Sequence, residues 1–261
     1  MSGSITLENR FGVNKMELIS LKYAIFVIVL LVLYYCFPKK YRWYVLLAGS
    51  MAYYVIICKW YVLFIIFTIC TTYGSTIWID KLLKKQNAIV KSHKEDWDRQ
   101  TRKDYKEKGR KKRVAVMLFA LLCNFGILAF LKYIPYAGEL GLLLPLGISF
   151  YTFQSMGYVM DVYREIVEPE KNFLKVALFV SFFPQIIQGP IAIYDKLAGQ
   201  LYEGHSLRLE NLQKGALLVL WGVMKKLVIA DRAVNIINFV MDKPMDFSGT
   251  YVFFAAVVYA L

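Results

Sequence analysis

The chain has 261 residues, of which 58% are apolar or aromatic and only 20% are charged, with a net charge of +13. Soluble domains are nearer half apolar and a quarter charged. The composition therefore excludes a soluble globular protein, a disulfide-stapled secreted domain and a disordered tail. The apolar residues form runs, and about 20 such residues cross the roughly 30 Å hydrocarbon core of a bilayer. These runs lie at 23–38, 43–58, 60–79, 114–131, 140–160, 176–194 and 247–261. They predict an all-α polytopic membrane protein with six to eight membrane-embedded helices, in which 1–261 form a single membrane domain.

The first four helices are predicted near 21–37, 41–58, 60–79 and 114–134, after an outer segment at 1–20. Pro38 ends the first helix because proline cannot continue it. All four cysteines fall inside apolar runs without a metal-ligand spacing, and we expect them to be small core residues.

Residues 80–113 carry most of the positive charge, with 14 Lys and Arg against six Asp and Glu. Cytoplasmic loops of membrane proteins carry such an excess. We therefore expect a basic cytoplasmic loop at 80–113, containing helices that lie on the inner surface, and an N-terminus outside. A role in binding anionic lipid or an acidic donor protein stays open. Nucleic acid is not expected as a partner, because the charge is confined to a loop between spans.

The fifth segment, 140–163, follows an outer turn at 135–139 and carries a polar stripe. On a helix, five of its residues fall on one face, and polar groups at membrane depth must face protein or a wet cavity. Interhelical hydrogen bonding and the lining of a cavity are equally good explanations. The stripe consists of Gly147, Tyr151, Gln154, Tyr158 and Asp161.

The sixth segment, 173–194, contains Pro184, Gly189 and Pro190, which interrupt a regular helix. It is predicted to be a broken or re-entrant segment, with Gln185 and Gln188 sharing a face. A polar connection at 195–213 and an interfacial or partly inserted helix at 214–230 follow. Residues 250–261 would rise only about 17 Å as a helix, so we expect the chain to be a fragment cut inside a transmembrane helix.

Motifs of soluble enzymes are absent from the sequence: it has no phosphate-binding glycine loop, metal-ligand spacing or nucleophile elbow. His93 lies in the basic segment and His205 in the polar connection. Both are expected to be solvated, so neither is placed to act as a general base.

The sequence of 144–201 nevertheless resembles the membrane-bound O-acyltransferase family, in its bacterial alginate O-acetylase-like branch. The resemblance rests on the run from Leu144 to Gln154, the segment Asp161-Val-Tyr-Arg164, Glu170-Lys-Asn-Phe173, and the run from Ser181 to Ile191, followed by Gln200-Leu201. It implies part of that family's helical bundle, in the plasma membrane of a bacterium. The family's catalytic histidine is expected beyond Leu261, so no catalytic residue is assigned here and the chain alone is not expected to be active.

The resemblance implies O-acyl transfer, with acetyl as the expected group, to hydroxyls of an exported or cell-surface polysaccharide. No bound cofactor or metal is expected; acetyl-CoA or another acyl thioester would serve as co-substrate on the cytoplasmic side. Partners would be membrane lipid, that donor, and a polysaccharide or an extracellular acetyl-transfer protein. The residues expected to line a tunnel or support it are Gln154, Tyr158, Asp161, Arg164, Gln185 and Gln188. A transporter of a polar solute and a non-catalytic membrane subunit are the alternatives.

Overall fold

The computed structural model describes residues 21–93, 96–133, 145–242 and 244–260, and every regular element in these ranges is helical. The chain divides into two compact units, Met1–His205 and Ser206–Leu261. The predicted outer segment 1–20 and the outer turn 135–139 lie outside the described residues. The all-α prediction is confirmed for the described ranges.

The first unit contains eight helices in the ranges that the structure describes. Short 3-10 turns at Lys39–Tyr41 and Lys59–Tyr61 separate the first three, and the break after the first helix falls beside Pro38, as predicted. The helices are α1 (Leu21–Cys36), α2 (Arg42–Cys58), α3 (Val62–Ser92), α4 (Arg99–Tyr133), α5 (Ile148–Tyr163), α6 (Phe173–Ser181), α7 (Phe183–Gln188) and α8 (Tyr194–Tyr202).

The basic segment 80–113 contains helices, as predicted, but they continue the third and fourth helices past the ends predicted at 79 and 114; that they lie on the inner surface stays a prediction. Its residues extend α3 and α4 as two helices that pack against each other, with Gln86 Nε2 donating to the carbonyl of Lys106 at 3.3 Å. Lys, Arg, Glu and Gln are good helix formers, so the polar residues continue the apolar helices instead of ending them. Glu107 and Lys111 add a pair four residues apart at 3.2 Å.

The core of the first unit forms where α2, α3, α5 and α6 meet. Its side chains are large and fully buried, which packs the helices closely. They include Tyr53, Tyr54, Ile65, Ile69, Met156, Val159 and Phe179. Cys58 also belongs to this core, whereas Cys36 and Cys70 are exposed, so the prediction that all four cysteines are core residues is wrong.

Large apolar side chains also cover the outside of the helices. Leu63 on α3 and Leu122 on α4 are 62% and 72% exposed, together with many neighbours. Large apolar side chains exposed in such numbers are typical of a membrane or protein interface. Two stretches, Lys39–Ser92 and Arg99–Tyr133, are long and apolar enough to cross a membrane, and the first contains both α2 and α3. Six to eight membrane helices remain a prediction.

The second unit contains α9 (Leu209–Met224), a π-helical segment at Lys225–Ala230, α10 (Asp231–Met241) and α11 (Gly249–Ala260). The stretch predicted at 214–230 is therefore part of a longer helical run that begins at Leu209. Most of α8 lies within the polar connection predicted at 195–213. Buried Tyr194, Ala198 and Leu201 account for α8, since they recur at helical spacing.

Candidate functional site

The sixth segment is broken, as predicted, and the break lies at Phe182. Its ψ of 106° ends α6 at Ser181, and Pro184 then lies in the first turn of α7. In an unbroken helix the amide of Phe183 would donate to the carbonyl of Phe179, four residues earlier. The break leaves both of these buried groups without their helical partner, which would cost free energy unless each found another.

Two side chains from other helices replace the lost bond. Gln154 Nε2 on α5 donates to the carbonyl of Phe179 at 2.8 Å, and the Phe183 amide donates to Ser50 Oγ on α2 at 3.4 Å. Gln154 and Ser50 are 2% and 0% exposed, so both bonds lie in the core. The stripe residue Gln154 therefore makes an interhelical hydrogen bond that holds the broken helix.

The beginning of α5 also contacts the segment after the break. Gly147 precedes the helix with φ of +69°, a conformation that glycine adopts without a steric penalty. A Cβ at position 147 would lie 2.5 Å from the carbonyl oxygen of Ile186 on α7. Gly147 is thus placed before the helix and not on its stripe, which corrects the prediction for this residue. The motif run that ends at Gln154 and the motif run that ends at Ile191 therefore approach each other here through their backbones.

Two further buried hydroxyl groups lie on α5 and at the end of α6. Ser155 on α5 and Ser181 at the end of α6 are both fully buried, and their oxygens have no hydrogen-bond partner among the described residues. Buried polar groups are normally satisfied by protein or ordered water. We call Gln154 and Ser50, which hydrogen-bond to the backbone on the two sides of the break, the polar seam.

A cluster of phenols lies where α5 ends. Tyr158 is 1% exposed and stacks on Tyr194 of α8, with ring centroids 4.1 Å apart, while its hydroxyl accepts the Glu170 amide at 2.8 Å. Tyr202 Oη donates to the carbonyl of Lys175 at 2.9 Å. The Lys175 ammonium lies 4.9 Å from the Tyr202 ring centroid and 3.8 Å from Glu170 Oε2. The cluster ties the Glu170 motif to α5, α6 and α8.

A cavity of about 470 Å³ opens beside these phenols. It is lined by the segment Glu168–Lys171 and by residues of α8, including Asp195, Tyr194 and Tyr202. Burial, followed by the nearby Tyr194 phenol, raises the pKa of Tyr202 well above its ordinary value of 10. Tyr202 therefore stays protonated and neutral at physiological pH, as a hydrogen-bonding group and not a base.

Five of the six residues predicted from the sequence have side chains that the structure describes, and these lie in different surroundings. Gln154 and Tyr158 are buried in interhelical contacts, Asp161 is half-buried, and Arg164 is exposed at the end of α5. Gln185 Nε2 donates to the carbonyl of Pro190, which closes the turn after α7. The side chain of Gln188 lies outside what the structure describes.

Several residues of the site were not predicted from the sequence. Ser50 carries no signal, because a serine in an apolar run is ordinary, and its role follows only from the fold. Glu170 belonged to a quoted motif, Tyr194 lies three residues after the run that ends at Ile191, and Tyr202 directly follows Gln200-Leu201. Pro184 frees the carbonyl of Val180, four residues earlier, whereas Gln154 binds the carbonyl of Phe179, so the proline indicates a break nearby but does not indicate this pairing.

Neither histidine lies in the polar seam. His93 is exposed and stacks on Trp97, with ring centroids 4.9 Å apart. His205 is also exposed; its amide donates to Tyr34 Oη at 3.3 Å, and its carbonyl accepts from the Arg42 guanidinium. The expectation that both side chains are solvated is confirmed.

The fold and site define an all-helical protein of membrane character in which two sequence motifs meet at a broken helix. The chain is similar to the peptidoglycan O-acetyltransferase of Helicobacter pylori, with 31% identity over 170 residues, which cover 51% of this chain and 32% of that protein. It is also similar to the protein of Pseudomonas aeruginosa named "Probable alginate O-acetylase AlgI", with 38% identity over 90 residues, covering 34% and 17%. The Pseudomonas putida protein of that name is 34% identical over 114 residues, covering 44% and 22%.

The similarity to these relatives confirms the resemblance to the membrane-bound O-acyltransferase family and its alginate O-acetylase-like branch. The chain matches about a third of the length of the Helicobacter protein and about a fifth of the Pseudomonas proteins. No family model and no solved structure matches the chain.

Proposed function

We propose that this chain is part of a membrane-bound O-acyltransferase that transfers acetyl groups to hydroxyls of an exported or cell-surface polysaccharide. The similarity to relatives named as O-acetyltransferases carries this proposal. The structure supports it because two motif residues, Gln154 and Gly147, each approach the broken segment, at Phe179 and at Ile186.

In the proposed reaction a sugar hydroxyl attacks the carbonyl of an acyl thioester such as acetyl-CoA. A new ester C–O bond forms, the C–S bond breaks, and the hydroxyl proton passes through a general base to the thiolate. No residue of this chain is assigned as that base. The role proposed for the polar seam is structural: Gln154 and Ser50 hold a non-helical backbone, which survives at membrane depth only where it is buried or lines a cavity.

The proposed location is the bacterial plasma membrane, with the N-terminus outside and the α3–α4 extension in the cytoplasm. The donor would then approach from the cytoplasmic side, and the acceptor would be a polysaccharide, or a protein partner that acetylates it, on the outer side. The excess of Lys and Arg at 80–113 supports this orientation.

Deletion of the encoding gene tests the proposal. Acetate released by mild alkali from cell-surface polysaccharide should fall in the deletion strain and return when the unaltered gene is supplied. Gln154→Leu should fail to restore it, because the broken segment loses its support. Gly157→Ala on the same helix is the matched control, since a Cβ there meets no atom within 4 Å. Unchanged acetate after deletion, at equal polysaccharide yield, would exclude the proposed activity.

A further inference from the structure

The α3–α4 hairpin carries an apolar groove on its surface. The groove has a volume of about 420 Å³ and is lined by Trp78 and Leu82 of α3 and by Lys112, Ala115, Val116 and Phe119 of α4. Trp78 and Phe119 are 58% and 65% exposed, so the groove is open on its outer side. A hydrocarbon chain is the chemistry that such walls accept without leaving polar groups unpaired.

A second, basic groove adjoins the apolar one on the same hairpin. Its volume is about 480 Å³, and Leu82 and Lys112 belong to both grooves. No acidic residue is among its lining residues, which are Leu82, Lys85, Gln86, Tyr105, Lys108, Gly109, Lys111 and Lys112. The two grooves thus form one amphipathic groove, apolar at one end and cationic at the other.

At the basic end of the groove, α3 and α4 are in close contact. Gly109 lets α4 approach α3 closely, since a Cβ there would lie 2.7 Å from Gln86 Cδ. Lys111 is partly neutralised by Glu107 at 3.2 Å. Lys85, Lys108 and Lys112 have no acidic partner among the described residues and repel one another across the groove. An anion would relieve this repulsion, and its phosphate could contact several ammonium groups together.

We propose that this amphipathic groove binds one anionic phospholipid, with an acyl chain against Trp78 and Phe119 and the phosphate among Lys85, Lys108 and Lys112. A soluble phosphate would satisfy the lysines and leave the apolar end uncovered. A zwitterionic lipid would fill both ends, but no acidic lining residue would meet its cationic headgroup. The site is separate from the polar seam and does not depend on the proposed acetyl transfer.

Fluorescence quenching of Trp78 by brominated lipid tests the proposal on the whole chain. Two vesicle preparations contain equal parts of phosphatidylglycerol and phosphatidylcholine and differ only in which lipid carries bromine on its acyl chains. The Trp78 signal is the fluorescence of the unaltered chain minus that of the Trp78→Phe variant. This subtraction cancels the fluorescence of the other four tryptophans. Bromine on phosphatidylglycerol should quench this signal at least about twofold more strongly, because each lysine favours anionic lipid about fivefold.

A pair of double variants separates the groove from the general basic charge. Lys108→Gln with Lys112→Gln should make the two bromine placements equivalent. Lys81→Gln with Lys91→Gln removes the same charge from exposed positions of α3 outside the grooves and should preserve the preference.

Three results would overturn the proposal. Equal quenching of the Trp78 signal by the two bromine placements would exclude anionic selection, whatever the lysine variants do. Equal effects of both double variants would mean that only the diffuse charge attracts the lipid. Absence of Trp78 quenching by bromine on either lipid would mean that the lysines bind phosphate with no acyl chain in the apolar end.

Discussion

The ion pair between Arg113 and Glu165 gives the sharpest test of how the first unit is held together. Arg113 Nη1 lies 2.7 Å from Glu165 Oε1 and joins α4 to the residue that follows Arg164 at the end of α5. The arginine side chain is only 9% exposed, whereas the glutamate is 52% exposed. Arg113 Nε has no hydrogen-bond partner among the described residues, so Glu165 is the charge that compensates this guanidinium.

Glu165→Gln should destabilise the chain by about 2 kcal/mol. A fully buried pair that loses one partner costs about 3–5 kcal/mol, and an exposed pair about 0–1 kcal/mol. This pair falls between the two because solvent screens the glutamate but not the arginine. Glu165 also has φ of +62°, and glutamine retains that backbone strain, so the substitution isolates the charge.

Arg113→Met should cost less than Glu165→Gln, because it removes the buried cation and leaves a carboxylate that water can reach. The double variant should be more stable than Glu165→Gln alone. Glu107→Gln is the matched control, since its pair with Lys111 is mostly exposed and should contribute under about 0.5 kcal/mol.

Thermal unfolding in mild detergent, followed by helical circular dichroism, measures these differences. A loss of about 2 kcal/mol should lower Tm by roughly 4–8 °C in a chain of this size. The reasoning is refuted if Glu165→Gln unfolds with the control, or if the two single substitutions are additive in the double variant.

Two further predictions concern the broken segment, and the same unfolding measurement serves both. Gly147→Ala should destabilise the chain by more than about 2 kcal/mol, because alanine pays for the left-handed backbone and its Cβ clashes with the Ile186 carbonyl. Gly157→Ala is the control and should be neutral or stabilise by about 0.5 kcal/mol. Similar effects at both glycines would contradict the contact between Gly147 and Ile186. Gln154→Leu should cost about 1–3 kcal/mol, because it leaves the Phe179 carbonyl buried without a donor, and Gln154→Met, which also lacks the amide, should cost the same. If Gln154→Met is as stable as the unaltered chain, packing and not the hydrogen bond determines the contribution of Gln154.

The sequence predicted those parts of the fold that depend on local chemistry. Pro38 indicated the end of the first helix, and Pro184 indicated the break in the sixth segment, since proline acts on its own neighbours. The helix ends predicted at residues 79 and 114, on the two sides of the basic segment, are wrong for the opposite reason. Charge indicates contact with water, but it does not indicate whether a helix stops, and residues such as Lys81–Lys91 continue α3 because their propensity is helical.

The polar stripe shows where prediction of the site stops. Periodicity placed Tyr151, Gln154 and Tyr158 on one face of α5, and the structure buries all three. Gln154 binds the Phe179 carbonyl, 25 residues away in the sequence, and Tyr158 binds the Glu170 amide, 12 residues away. Such pairings depend on how helices pack, which the spacing of one helix does not contain.

The contact between Gln154 and the break gives a physical reason for the two motifs to occur together in one chain. A broken helix exposes a carbonyl and an amide that the core must satisfy. Gln154 is long enough to reach the carbonyl of Phe179 from α5, and Ser50 supplies the acceptor for the Phe183 amide from α2. If Pro184 were replaced by alanine, the new amide could donate to the carbonyl of Val180. The Phe179 carbonyl would still be free to bind Gln154 unless Phe182 also became helical. In a continuous helix the Phe179 carbonyl would be occupied, and the buried side-chain amide of Gln154 would have no partner. The break supplies an acceptor for Gln154, and Gln154 supplies a donor for the carbonyl that the break frees, so each stabilises the other.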